Sequence, residues 1–322
     1  MRMKSVVIIL VSLVLLFPGA ISGTELEVLF IGNSHTDANN LSYLFEALSV
    51  AGGHTVYVDR STVGGSTLSY HSHYLPTLEL IGERDWDHVV LQEHTLLTVI
   101  DFYRDSSFIP KSTLLDSIIT ASGSHTAFFM HQAYPNPVGT YCAWDHCSRE
   151  FDDYFDMQSE MSTSYTTAAL LLDALLVPVG DIWAAALHED PTLPLWSSDS
   201  LHATLEGSYF NACVFYASFF NQSPVGLEFY GGLEEARAMM YQNYAQRFTV
   251  PQKLEISLQG DGLLQLSWQP TVGSGYNVHS SETAGALFPD QWILENEAPI
   301  TDLSWEIAIM DAKRFFRVTT VR

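Results

Sequence analysis

Short apolar runs alternate with stretches long enough for a helix along most of this chain, and that alternation restricts the fold more than any other feature. The runs fall at Leu26 to Ile31, His54 to Asp59, His88 to Gln92, Thr126 to His131 and Leu175 to Val179. Between and after them, Ser42 to Ala51, Ser72 to Ile81, Ser112 to Ala121, Glu150 to Leu172, Leu205 to Phe220 and Leu233 to Phe248 have the length and apolar spacing of helices. Strands that alternate with helices in this way predict a parallel sheet covered by helices on both faces, a three-layer α/β/α domain over residues 25–248. A chain of 322 residues, 47% hydrophobic, can fill such a core.

The pattern changes at Val250-Pro251. Leu254 to Trp268 alternates apolar and polar residues around Gly260-Asp261-Gly262, a hairpin signal. Further short runs at Tyr276 to His279, Trp292 to Glu295, Trp305 to Ala308 and Arg314 to Val318 predict a small all-β sandwich over 251–322. At the other end, Arg2 and Lys4 precede an apolar stretch from Val6 to Phe17, followed by small residues at Ala20-Ile21-Ser22-Gly23. This reads as a signal peptide over 1–22, too short and wrongly flanked for a membrane span. The expectation is a soluble, secreted or periplasmic protein. Cys142 and Cys147 are close enough to form a disulfide in an oxidising compartment, with Cys213 left alone in an apolar segment. A formal charge of -23 disfavours nucleic acid and anionic membrane surfaces as partners.

The first apolar run ends in Gly32-Asn33-Ser34-His35-Thr36. A serine hydroxyl at the carboxyl edge of a parallel strand is placed to act as a nucleophile, although Ser34 or Thr36 capping a helix accounts for the same residues. What favours chemistry is a partner far along the chain, Asp199-Ser200-Leu201-His202, where a carboxylate and an imidazole three residues apart can lie side by side. In that reading His202 takes the Ser34 proton and Asp199 fixes the imidazole tautomer; the alternative is a solvated turn. Developing negative charge on an acyl oxygen needs N–H donors. The candidates are the Ser34 N–H, the turn Val63-Gly64-Gly65-Ser66-Thr67, where glycine permits close approach, and Gln92 at the end of the third run. His94 and His131, with Gln132 and Tyr134, are candidates to line a substrate pocket, and His131 reads equally well as a loop histidine. His71, His73 and His94 with Asp37 lack the spacing of a zinc motif, so neither a metal nor any other cofactor is expected. Trp183 reads as core, and Trp196 as core or a sugar-stacking surface.

The order of these motifs resembles the SGNH or GDSL hydrolase superfamily, in a bacterial branch whose first block reads Gly-Asn-Ser-x-Thr. Similar members also carry Val-Val-Leu-Gln-Glu, found here at Val89 to Glu93, and a block like the one around Asp199, His202, Gly207-Ser208-Tyr209 and Ala212. The resemblance covers Glu25 to Gly226. It implies a flavodoxin-like fold, Ser34 as nucleophile, Asp199 and His202 as its relay, and Gly65 as an oxyanion donor. This chain departs from the superfamily in block three, where an asparagine is usual and none lies between Asn40 and Asn136. Gln92 takes that place in related branches, and His94 is the other candidate. The expected activity is hydrolysis of a carboxylic ester through an acyl-serine, with an acylated polysaccharide as a reasonable substrate by analogy. Two other functions fit the sequence: a non-catalytic glycan-binding surface protein on a hydrolase scaffold, and a structural exported protein assembled through its sandwich.

Overall fold

The computed structural model describes residues 23–249 and, beyond them, strand segments at 255–258, 263–267, 275–281, 293–294, 304–308 and 315–321. The signal peptide expected at 1–22 lies outside the described residues.

The first strands are β1 (Glu25–Gly32), β2 (Thr55–Thr62), β3 (His88–Leu91) and β4 (His125–Phe129). With β5 (Gly139–Ala143), β6 (His146–Phe151) and β7 (Leu175–Val177) they form a five-stranded sheet in the order β2-β1-β3-β4-β7 and a separate β5-β6 hairpin. Every pairing in the five-stranded sheet is parallel. Parallel strands need crossovers, which here run over both faces of the sheet. Two adjacent phenylalanines in β4 show this directly, because successive strand residues point to opposite faces. Phe128 packs on Phe108 and Tyr165, whereas Phe129 packs on Phe215. Phe30 of β1 lies on the second side, against Phe45 and Phe215. Strands buried on both faces explain why the sequence shows continuous apolar runs instead of alternation.

The helices are α1 (Ser34–Asp37), α2 (Leu41–Ala51), α3 (Leu68–His71), α4 (Leu75–Glu83), α5 (Thr95–Val99), α6 (Asp101–Tyr103) and α7 (Ile109–Ala121). They continue with α8 (Tyr154–Leu172), α9 (Val179–Glu189), α10 (Leu205–Phe220) and α11 (Glu235–Thr249). Three expectations need correction. The helix expected from Ser72 starts only at Leu75 as α4, where a proline fits the first turn, and the short α3, capped by Thr67, precedes it. Glu150 belongs to β6; α8 begins at Tyr154 because the Asp153 carboxylate accepts the Asp156 N–H and so caps it. The final strand ends at Val177, and Pro178-Val179 opens α9, which the apolar run had concealed. None of the described helices is long and apolar enough to cross a membrane.

The β5-β6 hairpin is closed by a disulfide between Cys142 and Cys147, and Cys213 is a buried free thiol in α10. Beyond α11 the described segments pair antiparallel. Glu255–Leu258, Leu263–Ser267 and Ser304–Ala308 make one three-stranded sheet, and Gly275–Ser281, Ile293–Leu294 and Phe315–Val321 make another. The hairpin expected around Gly260-Asp261-Gly262 corresponds to the pairing of the first two of these strands.

Candidate active site

In a sheet of this order the chain leaves β1 toward one side and β3 toward the other, so a crevice opens between their carboxyl ends. The residues following both strands meet there. Asn33 is the N-cap of α1: its side-chain oxygen accepts the His35 N–H at 3.1 Å, while its amide nitrogen donates to the Ser66 carbonyl at 3.0 Å. Its own N–H donates to Gln92 Oε1 at 2.9 Å, and the Thr36 hydroxyl donates to the same oxygen at 2.9 Å. One amide oxygen therefore grips the chain on both sides of Ser34. A side chain at Gly32 would collide with Gln92 and Thr36, so this grip requires glycine there. Asn33, Thr36 and Gln92 are all buried, and Ser34 itself is half exposed. As the first helical residue, Ser34 has no carbonyl one turn earlier to occupy its N–H.

Opposite the serine stands the loop before α10. The Asp199 Oδ1 accepts three hydrogen bonds, from the Ser197 hydroxyl at 2.6 Å, the Leu201 N–H at 2.9 Å and the His202 N–H at 3.0 Å. Its other oxygen accepts from His202 Nδ1 at 2.7 Å. With that proton on Nδ1, the lone pair of Nε2 faces the Ser34 hydroxyl, 2.8 Å away. The Ser197 hydroxyl and then His202 hold Asp199 far below the usual carboxylate range, so it stays ionised and fixes this tautomer. Backbone bonds from Ser197 N–H to the His202 carbonyl and from Thr204 N–H to the Leu195 carbonyl brace the loop. Thr204 also caps α10 by accepting the Gly207 N–H. The fold thus brings Ser34, His202 and Asp199 into one continuous hydrogen-bonded chain.

The residues after β3 behave differently from expectation. Gln92, read as an oxyanion donor, is fully buried; its oxygen holds the nucleophile turn and its nitrogen donates to the Glu93 carbonyl at 2.5 Å. Its side chain is committed to positioning Ser34. Glu93 is buried as well, accepting from the Leu68 and His94 N–H groups, and burial pushes its carboxyl up to about 8. His94 is half-buried and caps α5, with Nδ1 accepting the Leu96 N–H at 3.3 Å. A neutral His94 consequently carries its proton on Nε2, as a donor. His131 does not line a pocket: it is fully buried, stacked on His35 with ring centroids 4.2 Å apart, and burial lowers it to about 4. Both of its nitrogens lie beside backbone carbonyls, of Gln132 at 3.0 Å and Glu93 at 3.1 Å, and the single proton of the neutral ring serves one of them. His35 is likewise held well below its ordinary value, chiefly by burial and then by His131, His202 and His94. The base thus sits beside a layer of uncharged imidazoles.

Gly65 is exposed with φ of 69°, in the left-handed region that favours glycine. The turn around it is fixed from below. The Ser66 hydroxyl lies 2.9 Å from His71 Nε2, His71 Nδ1 is 2.7 Å from the Thr77 hydroxyl, and that hydroxyl is 2.7 Å from the Ser61 hydroxyl. His71, considered as a metal ligand from sequence, is a buried strut of this turn. No group of three or more His, Cys, Asp or Glu among the described residues could hold a metal ion. Trp183 lies in the core, as expected; Trp196 packs edge-on against Trp183 and Tyr154 and donates to the Ala133 carbonyl, which makes it a packing residue too. Sequence reasoning gave Thr36 only a capping role and passed over Ser197 and the bracing role of Gln92. Thr36 was visible as the last letter of Gly-Asn-Ser-x-Thr, but the partner that explains it lies on another strand.

No family model matches the chain, and no curated protein matches it. Solved structures do. A DUF4886 family protein from Bacteroides uniformis superposes with a TM-score of 0.57 at 17% identity, over 69% of this chain and 93% of that one. A protein from Slackia heliotrinireducens described as a candidate SGNH hydrolase gives 0.48 at 20% identity, over 60% and 98%. A variant of an acetyl-xylooligosaccharide esterase from Geobacillus gives 0.39 at 14% identity, over 66% and 97%. With the strand order described above, the fold is a flavodoxin-like α/β fold, a parallel five-stranded sheet flanked by helices, which the DUF4886 family protein shares.

Proposed function

We propose that the protein is an exported serine esterase that cleaves carboxylic esters through an acyl-serine, acting on an acylated polysaccharide. The observation that carries this reading is the unbroken path from Ser34 Oγ to His202 Nε2 at 2.8 Å and from His202 Nδ1 to Asp199 at 2.7 Å. As the Ser34 oxygen attacks the ester carbonyl, its proton passes to His202 Nε2, and ionised Asp199 stabilises the imidazolium. The carbonyl oxygen becomes negative, facing the N–H groups of Ser34 and Gly65. Collapse of the tetrahedral species expels the alcohol, which takes the proton from His202. Water then enters, loses a proton to His202 and releases the acid. The SGNH-type fold and the sequence motifs support this assignment, and the signal-like leader supports export. Residues 25–248 would form the catalytic domain and 251–322 an accessory sandwich module.

A purely glycan-binding role has no use for a serine, histidine and carboxylate in hydrogen-bonded sequence. The test is hydrolysis of short-chain nitrophenyl esters and of acetylated xylan by the mature chain and by Ser34→Ala. Turnover by the natural chain and none by the variant is expected; equal rates for the two would end the serine-esterase reading.

A further inference from the structure

A cavity of ≈ 390 Å³ opens beside the base, lined by Tyr134, Pro135, Asn136, Tyr141, Ser200 and Leu201. Ser200 and Leu201 immediately precede His202, and Gln132 joins the Leu201 carbonyl to His35 Nδ1 through contacts of 3.3 and 3.4 Å. In ester cleavage His202 delivers a proton to the departing oxygen, so the alcohol has to lie on the side of the histidine. The cavity wall includes the two residues that precede His202 in the chain. We propose that it is the subsite for the alcohol portion of the ester and that this alcohol is a neutral sugar ring; the assignment to the alcohol rests on the esterase reading, whereas sugar binding does not.

The lining carries the choice of ligand. Two tyrosine rings, 5.4 Å apart between centroids, and a proline offer apolar faces, while Asn136 and Ser200 offer an amide and a hydroxyl. A pyranose has the matching character, with C–H faces that pack on rings and hydroxyls at its rim that hydrogen-bond. None of the lining residues is charged, so a phosphate or carboxylate would meet no cation there. A long acyl chain would make no use of the Asn136 amide or the Ser200 hydroxyl. The volume is within the range of small-ligand sites.

The wall of this cavity is built to keep its shape. Tyr141 sits on β5 next to Cys142, whose disulfide to Cys147 closes the hairpin. The Tyr141 N–H donates to the Ser148 hydroxyl at 3.0 Å, and the Tyr103 hydroxyl, 2.9 Å from both the Ala143 carbonyl and Asp145, ties the hairpin to α6. The end of this hairpin, Glu150 and Phe151, takes the place of the expected start of α8. Its exposed tip residue Trp144 approaches Tyr103 edge-on at 5.1 Å and extends the aromatic surface outward.

The test uses the full mature chain and two measurements. First, Ser34→Ala is mixed with neutral xylo- and manno-oligosaccharides and followed by saturation-transfer NMR; transfer to sugar ring protons is expected, and its loss on adding Asn136→Ala or Tyr141→Leu. Asn136 is exposed, so its variant keeps the fold even if Tyr141→Leu disturbs the hairpin. Second, kcat/KM is compared on an acetylated methyl xyloside and on nitrophenyl acetate in the Ser34 enzyme. Asn136→Ala is expected to raise KM for the sugar ester about tenfold and to lower its kcat/KM at least about fivefold more than that of nitrophenyl acetate. Absence of sugar transfer, or transfer and ester preference insensitive to both substitutions, would overturn the subsite. Sugar binding that depends on Asn136 in a protein inert toward both esters would instead remove the esterase reading and leave the sugar site standing.

Discussion

The two halves of the proton path are built in opposite ways. Ser34 stands on a turn whose neighbours Asn33 and Thr36 are buried and both bonded to the fully buried Gln92. Asp199 and His202 stand on a surface loop, with side chains 50% and 29% exposed, held mainly by hydrogen bonds among the loop's own residues, while Gln132 and Asn39 reach the Leu201 and Ala203 carbonyls from outside. Ser34 is positioned by the core of the sheet, and Asp199 and His202 by a local turn. Damage to the buried residues that hold the Ser34 turn should therefore cost stability as well as rate, and damage to the Asp199-His202 loop mainly rate.

The largest effects should come from the path itself. Ser34→Ala or His202→Ala is expected to lower kcat by about 10⁴-fold or more, and Asp199→Asn by somewhat less, with thermal unfolding close to that of the natural chain. A marked fall in melting temperature in His202→Ala or Asp199→Asn would contradict the division between the two halves. Next comes Gln92→Leu, which strips partners from a buried N–H and a hydroxyl. It should cost about 1–3 kcal/mol in denaturant unfolding and, by loosening Ser34, about tenfold or more in kcat. Undiminished stability would show that the turn does not depend on that amide.

Much of the nucleophile half was legible from sequence, because an apolar run ending in Gly-Asn-Ser implies a strand with a serine at its exit. The Asp-x-x-His spacing was equally readable, since a carboxylate and an imidazole three residues apart need only one turn to meet. Gln92 was located correctly at the end of β3 but given the wrong task. Whether its amide faces substrate or the neighbouring strand depends on register between β1 and β3, and pairing of strands distant in sequence leaves no local trace. The hairpin at 139–151 and α9 were missed for a related reason. A disulfide-closed hairpin next to a helix blends into one amphipathic stretch, and α9 is apolar enough to merge with the run before it. His131 looked like a pocket residue because it follows a strand; burial depth is set by the layers above it, which only the fold supplies.

A smaller effect should appear in the pH dependence of stability. Glu93 titrates at about 8 when folded and near 4.5 as a model carboxylate, so between those values the folded chain holds a proton that the unfolded chain has released. Stability falls as pH rises through this window and levels off above about 8. The buried histidines His35 and His131, lowered on folding, act in the opposite direction, an effect that fades as pH rises above about 6.5. The comparison with Glu93→Gln separates the Glu93 contribution from theirs and from that of the buried Cys213 thiol, which burial raises. Melting temperature should decline from about pH 6.5 to 8.5 in the natural chain and much less in Glu93→Gln; parallel curves would place the Glu93 titration elsewhere. The smallest effect is expected at Ser197→Ala, which removes one of the hydrogen bonds on Asp199. A loss of about three- to tenfold in kcat with a change in stability below about 0.5 kcal/mol fits the base half, and a larger stability change would mean that this loop is braced by more than its own bonds.

The most direct measurement is covalent. The mature chain is treated with a fluorophosphonate, digested and mapped by mass spectrometry, alongside His202→Ala. One adduct per chain on Ser34, formed far more slowly without the His202 imidazole, is the predicted result. An unlabelled Ser34 in the folded natural chain, or labelling as fast in the variant as in the natural protein, would contradict the claim that Ser34 is a nucleophile activated by His202.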